Sequence, residues 1–261
     1  MTIIGTLIPF TRAECTRDSL KYAADLYLGS QNSGLIQEIF SSVTYVQNNK
    51  TIPITDSILK QAMSIAHNKT IVDTTTCATY TEVIITDPSN PHVIGTQIHH
   101  TVSNGTSKPT LIDSIVTGPG DWLFNATKTL AYITGESWDP IPASAQDTRT
   151  TLKSAADAYL DLWGNPDAPV PWGTPCTRLE GSAYTGKGAP DDSCAIGIPG
   201  GEQPPNTNRR YVVDEGMGSV SVLVDFGAMR SGAPDSHEFR LEGGRLRYVH
   251  TMTVMTTGTA S

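Results

Sequence analysis

The chain has 261 residues, room for one large domain or two of about 130, and 38% apolar residues with 23 glycines give an ordinary globular composition. A net charge of -8 opposes the phosphate neutralisation on which nucleic-acid binding depends, so a nucleic-acid partner is not expected. No stretch approaches the ~18 to 20 continuous apolar residues of a membrane span, and no nucleotide-binding glycine loop, GxSxG, HExxH or CxxC signature occurs.

At the N-terminus, Ile3 to Phe10 is a short apolar run ending near Ala13, which reads either as the remnant of a signal peptide over 1–13 or as an N-terminal strand. Four N-x-S/T sequons, at Asn49, Asn68, Asn104 and Asn125, are glycan acceptors if the chain is secreted. The even set Cys15, Cys77, Cys176 and Cys194 lacks metal-site spacing. Bridges Cys15–Cys77 and Cys176–Cys194 are one of three connectivities, and together these features point to a secretory route.

Residues 16–28, TRDSLKYAADLYL, return as 148–160, TRTTLKSAADAYL, with nine of thirteen positions identical at an offset of 132. The chain therefore reads as two related domains, 14–118 and 147–256, joined by a linker over 119–146. Each copy opens with a helix behind Thr16 or Thr148. In the first copy further helices are expected at 35–40 and 55–66, then strands near 70–86, 92–102 and 110–117. In the second, a Gly/Pro-rich insert at 164–207 precedes strands near 209–215, 219–226, 236–242 and 245–254.

Helices followed by a run of antiparallel strands give an α+β class, with a curved sheet wrapped around the helices to form a cone. That order, the Ala-Ala-Asp-x-Tyr helix and the closing strand pair resemble the nuclear-transport-factor-2-like (NTF2-like) superfamily, which includes ketosteroid isomerase, scytalone dehydratase and the SnoaL cyclases. The resemblance implies two tandem NTF2-like domains arranged as an internal pseudo-dimer, the whole being a monomer or a homodimer. Over nearly the whole chain the sequence also resembles secreted filamentous-fungal proteins of unknown function. The segments carrying this are Asp121-Trp-Leu-Phe, Val170-Pro-Trp-Gly-Thr-Pro-Cys-Thr-Arg-Leu-Glu, Asp191-Asp-Ser-Cys, Asn208-Arg-Arg-Tyr, and His237-Glu-Phe-Arg through His250-Thr-Met-Thr-Val.

The final hairpin turns at Gly243-Gly244, and a two-residue loop sets Leu241 against Leu246, Phe239 against Tyr248 and His237 against His250 on one inward face. Glu238, Arg240, Arg247 and Val249 then face solvent. Adjacent imidazoles are difficult to bury without a shared water, ligand or carboxylate. Candidate partners are Glu215, Asp214 if the strand parity is reversed, and Glu180 with Arg178, whose bland reading is a surface ion pair. Trp172, Tyr184, Phe239 and Tyr211 are candidate contacts for a substrate. Asp113 is a candidate for a site in the first cone. Metal binding by His237, His250 and Glu215 or Glu180 is a competing explanation, although no HxH or HxxxH spacing supports it.

The resemblance implies a cofactor-independent isomerase, cyclase or dehydratase acting on a carbonyl-containing, polyketide-like small molecule. A neutral imidazole of His237 or His250 would serve as base, with Arg178 or Tyr248 stabilising the oxyanion. The alternative is a non-catalytic secreted ligand-binding or effector protein whose cones are filled by side chains.

Overall fold

The computed structural model describes residues 15–103, 106–229 and 232–255. Two α-helices in corresponding places open the two copies. Helix α1 spans Arg17–Ser33, with the Thr16 hydroxyl accepting Ser19 N–H at its start. Gly34, in the left-handed region at φ 70°, closes it by donating to the Ser30 carbonyl. Helix α3, Arg149–Asp161, begins in the same way on Thr148. Between them lies α2, Ala126–Ile133, capped by Asn125. Of the other expected helices, 35–40 keeps only a 3-10 turn at Glu38–Phe40. The segment 55–66 forms two 3-10 turns around Ser57, because the Ser57 hydroxyl and the Gln31 side chain take backbone partners that a helix would use.

The strands form two six-stranded sheets. The first holds β1 (Thr44–Gln47), β2 (Lys50–Ile52), β3 (His67–Asp73), β4 (Ala78–Ile85), β5 (His92–Ser103) and β6 (Thr106–Thr117), in the order β2-β1-β6-β5-β4-β3. The second holds β7 (Trp172–Glu180), β8 (Ala183–Tyr184), β9 (Thr207–Asp214), β10 (Ser219–Phe226), β11 (Ala233–Glu242) and β12 (Arg245–Thr253), in the order β8-β7-β12-β11-β10-β9. Both sheets contain one parallel pair at the same place, β1 with β6 and β7 with β12. The stretch expected as one strand over 70–86 is a hairpin of β3 and β4, and β1, β2 and β7 lie before the strands expected in each copy. The structure joins Cys15 to Cys77 and Cys176 to Cys194; β7 and β8 lie inside the stretch expected as a Gly/Pro-rich insert, and the second bridge ties β7 to the irregular segment that follows β8.

Side-chain alternation gives each sheet two buried faces. On the outer face of the first, Tyr27 of α1 packs with Phe40, Val83, Ile94, Ile98 and Ile112. On the outer face of the second, Leu152, Ala155, Ala156 and Tyr159 of α3 pack with Val220, Val222, Phe226, Phe239 and Val249. The inner faces pack on each other: Ile71, Tyr80, Ile84 and Ile115 from one meet Leu179, Val212, Leu223 and Met252 from the other. Ala126 and Ile133 of α2 join this middle layer, so the segment read as a linker is part of the core. The order of layers is helix, sheet, sheet, helix.

Two arginine–aspartate clamps cross between the halves. Arg17 donates to both oxygens of Asp214 at 2.9 and 2.7 Å, and Arg149, its equivalent 132 positions on, donates to both oxygens of Asp73 at 2.8 and 2.7 Å. Each carboxylate also takes a backbone N–H from the other sheet, Asp214 from Val72 and Asp73 from Val213. Burial pushes the Asp73 carboxyl up, but Arg149 and the donors from Thr76 and Val213 outweigh it and hold it below its ordinary value. The exchange is reciprocal, as in an isologous dimer contact.

The final hairpin differs from the expected register. Leu241 stands opposite Leu246, as Gly243-Gly244 requires, but Arg240 stands opposite Tyr248 and Glu238 opposite His250. Arg247 is an extra residue, a β-bulge, and one such insertion moves every later side chain to the other face. Glu238, at 0% exposure, therefore lies between the sheets, and Arg240 is buried against the Met217 and Asp139 carbonyls, neither being in solvent. Removing one side of a clamp leaves a buried carboxylate short of its counter-charge: Arg149→Met is expected to lower the urea unfolding free energy by about 2–4 kcal/mol, against about 1 kcal/mol or less for Lys153→Met, which breaks the exposed Lys153–Asp157 pair.

Candidate functional site

The middle layer holds a buried group of charges. Lys69 on β3 and Glu82 on β4 meet Glu238 on β11 and His250 on β12, and Glu136, just after α2, closes the group. His250 Nε2 lies 2.6 Å from Glu136 and Nδ1 lies 3.3 Å from Glu82. Glu136 also accepts from the Trp138 indole at 2.9 Å and from the Tyr184 hydroxyl at 3.0 Å. The Lys69 ammonium lies 3.0 Å from Glu238, 3.6 Å from Glu82 and 3.0 Å from the centre of the Trp138 ring, and the Ser219 hydroxyl donates to Glu238.

These contacts set the protonation states. Burial pushes the His250 imidazole down, but Glu136 and Glu82 overcome it and raise it from 6.5 to about 9. Burial pushes Glu82 up, and Lys69 and His250 bring it down to about 2. Burial raises Glu238, and Glu82 adds to the rise. At neutral pH His250 is an imidazolium with no lone pair to accept a proton, which removes it as a neutral general base. Among the described residues, Glu82, Glu238 and His250 bring one ligand atom each within 4.8 Å and are the set that could hold a cation; the Lys69 ammonium already supplies one. A cavity of about 10 Å³ beside Glu82 and His250 has room for one water.

The expected pairing of His237 with His250 is corrected by the bulge. His237 lies opposite Thr251 and faces α3, with its ring 5.7 Å from those of Tyr159 and Phe239 and Nδ1 2.5 Å from Asp235. Phe239 is core, and Trp172 meets Tyr159 edge-on. Side chains thus fill the α3-covered face where the second cone was expected. Tyr248 is on the other face, stacked 5.4 Å from Trp138. Glu215 is not on a strand: it sits in a 3-10 turn after β9 and accepts Arg149 N–H at 2.9 Å. Asp214 belongs to a clamp, and Tyr211 donates to Asp157 of α3 at 2.6 Å. Asp113 points between the sheets to Arg210, at 2.6 Å, and does not enter the first cone. Glu215 is held by Arg149 and Glu180 stands a strand away from His237, across Thr251, while His250 is on the opposite face, so the expected metal ligand set is not assembled.

Arg178, Glu180 and Tyr184 do come together, with Trp122, Leu123 and Ile196, around an open cleft of about 300 Å³. Arg178 is 4% exposed, so its pair with Glu180, at 3.2 Å, is not a surface pair. It also donates to the Ile196 carbonyl at 2.7 Å, and Glu180 accepts the Trp122 indole N–H at 2.9 Å. Leu123 and Ile196 stand at the rim, 45% and 53% exposed. Leu123 holds φ 48°, which a branched side chain rarely adopts, and Gly181 at φ 58° passes so close that a Cβ there would lie 2.5 Å from the Trp122 carbonyl. Tyr184 connects this cleft, through Glu136, to His250.

The site residues not anticipated are Lys69, Glu82, Glu136, Trp138, Trp122 and Glu238, the last expected to face solvent. Lys69 and Glu82 did carry a signal: each is charged, two positions from Ile71 or Ile84 on a strand whose alternation buries that face.

Because His250 is raised in the folded protein, its ion pairs contribute fully below about pH 6.5 and are lost as the pH rises through about 9. Thermal unfolding of the wild type should lose about 3 kcal/mol more than His250→Gln between pH 7 and pH 10, as followed by circular dichroism. Equal losses would contradict the imidazolium assignment.

Compared with known proteins, residues 145–253, the second half of the chain, match a family model described as a domain of unknown function (DUF8021). No curated protein and no solved structure matches the chain.

Proposed function

We propose that the chain is a secreted protein of two NTF2-like halves that binds a small molecule in the Arg178–Glu180 cleft without an organic cofactor. The observation that carries this reading is the contrast between the filled α3-covered face and the open cleft. The former is packed by Tyr159, Trp163, Phe226, His237 and Phe239, while the latter, at the edge of that packing where Arg178 donates to the Tyr159 hydroxyl at 3.4 Å, joins open volume to the buried Arg178, the part-exposed Glu180 and an exposed apolar rim. Apolar walls with a few fixed polar groups are the usual make-up of a ligand site. A ligand with an apolar body and a hydroxyl or carbonyl group fits: Leu123 and Ile196 meet the body, Glu180 accepts and Arg178 donates. The repeated strand order supports two NTF2-like halves, and the two disulfides support a secretory route. No helix among the described residues is long and apolar enough to cross a membrane.

One observation favours a second reading, a cofactor-independent isomerase, cyclase or dehydratase. The chain of contacts from Tyr184 through Glu136 to the His250 imidazolium is a proton path ending at the cleft, where Glu180 would be the base. Incubating the wild type and Glu180→Gln with extracts of the producing organism, and analysing retained and converted metabolites by mass spectrometry, separates the two. Binding predicts retention without conversion, weakened at least about tenfold in Glu180→Gln. Conversion lost in the variant establishes the enzyme instead, and neither outcome for the wild type rejects both.

A further inference from the structure

We infer that Asn68 and Asn125 carry N-linked glycans and that Asn49, which has the same sequon, is a structural strut between the halves and stays bare. The inference rests on the secretory reading. Asn49 sits in the β1–β2 turn at φ 62°, with both ends of its amide in use. Its Nδ2 donates to Asp225 at 2.6 Å, and its Oδ1 accepts from Arg210 at 2.9 Å, Arg210 itself holding Asp113. Asp225 and Arg210 belong to the second sheet, so the amide bridges two halves of the fold.

Glycosylation joins Nδ2 to the anomeric carbon of a polyprenyl-diphosphate-linked oligosaccharide; the amide gives up a proton and the lipid diphosphate leaves. A sugar on Asn49 would replace one of the hydrogens on the nitrogen that faces Asp225 and would fill the gap between the sheets. Chains modified there before folding could not close, and the folded, exported molecules are those left bare.

Asn68 and Asn125 have no such conflict. Asn68 is exposed on β3, an outermost strand of its sheet. Asn125 is exposed and caps α2 through Oδ1 alone, which accepts Lys128 N–H at 3.0 Å. An N-glycosidic bond at Nδ2 keeps Oδ1 as an acceptor, so the cap and the glycan are compatible. The Asn125 glycan would stand two residues from Leu123 at the cleft rim. Asn104 lies outside the described residues.

The test expresses the full chain in yeast behind a supplied, cleavable export leader, so entry to the secretory pathway does not depend on the chain's own N-terminus. Peptide N-glycosidase treatment in oxygen-18 water followed by peptide mass spectrometry should mark Asn68 and Asn125 and leave Asn49 unmarked. Asn125→Asp, which retains a capping oxygen, should lose one glycan with its melting temperature unchanged within a few degrees, whereas Asn49→Asp should lose no glycan and melt lower. A marked Asn49, or an unmarked Asn68 or Asn125, overturns the inference. The secretory reading is judged separately, by whether the untagged chain reaches the medium of its own producing organism.

Discussion

The exchange of Arg17 and Arg149 between Asp214 and Asp73 determines how the two sheets meet, and the rest of the molecule depends on that meeting. Each arginine lies at the start of the first helix of its half and each aspartate at the end of an outer strand, so a single contact, used twice, fixes helix, strand and opposite half together. Bidentate geometry makes it directional as well as attractive. With the sheets set in this way, two amphipathic layers that would each need a partner supply one another.

The middle layer that results is mixed in character. Much of it is aliphatic, but Lys69, Glu82, Glu136, Glu238 and His250 occupy its centre. Ionised groups are tolerated there because opposite charges interleave: the Lys69 ammonium lies beside Glu82 and Glu238, and the His250 imidazolium lies between Glu82 and Glu136. Mutual compensation makes the group a poor acid–base catalyst at neutral pH, since each proton is held by several partners. It also explains why chemistry or binding is better sought at the cleft, where Arg178 and Glu180 remain beside open space. Tyr184 is the residue common to both regions.

Much of the architecture is readable from the chain. The repeat at an offset of 132 gives the two halves, the α+β order follows from the strand-rich second part of each, and the four cysteines pair within their halves. The site is readable only in part, for two physical reasons. First, Gly243-Gly244 controls register locally, and the Arg247 bulge that separates His237 from His250 leaves no trace in composition or periodicity. Second, charged residues alternating with apolar ones are the pattern of a solvated face, and Glu238 and Arg240 match it although the other sheet covers Glu238 and the segment around Asp139 covers Arg240. Only knowledge that two sheets stack would convert that pattern into an interior one. Glu136 and Trp138, in an irregular segment, offer no periodicity at all. Arg178 and Glu180 were found because they lie close together on a single strand next to a cysteine.

The clamps have one more consequence, for what happens at the ends of the sheets. β3 and β9 are edge strands, and such strands invite a further strand from another molecule. In each, a carboxylate from the opposite half sits on a backbone N–H, Asp214 on Val72 and Asp73 on Val213, occupying a donor that an added strand would need. The same two aspartates that join the halves therefore guard them against chain-to-chain aggregation, and a half released from its partner would lose its docking contact and the guard on its own edge strand together.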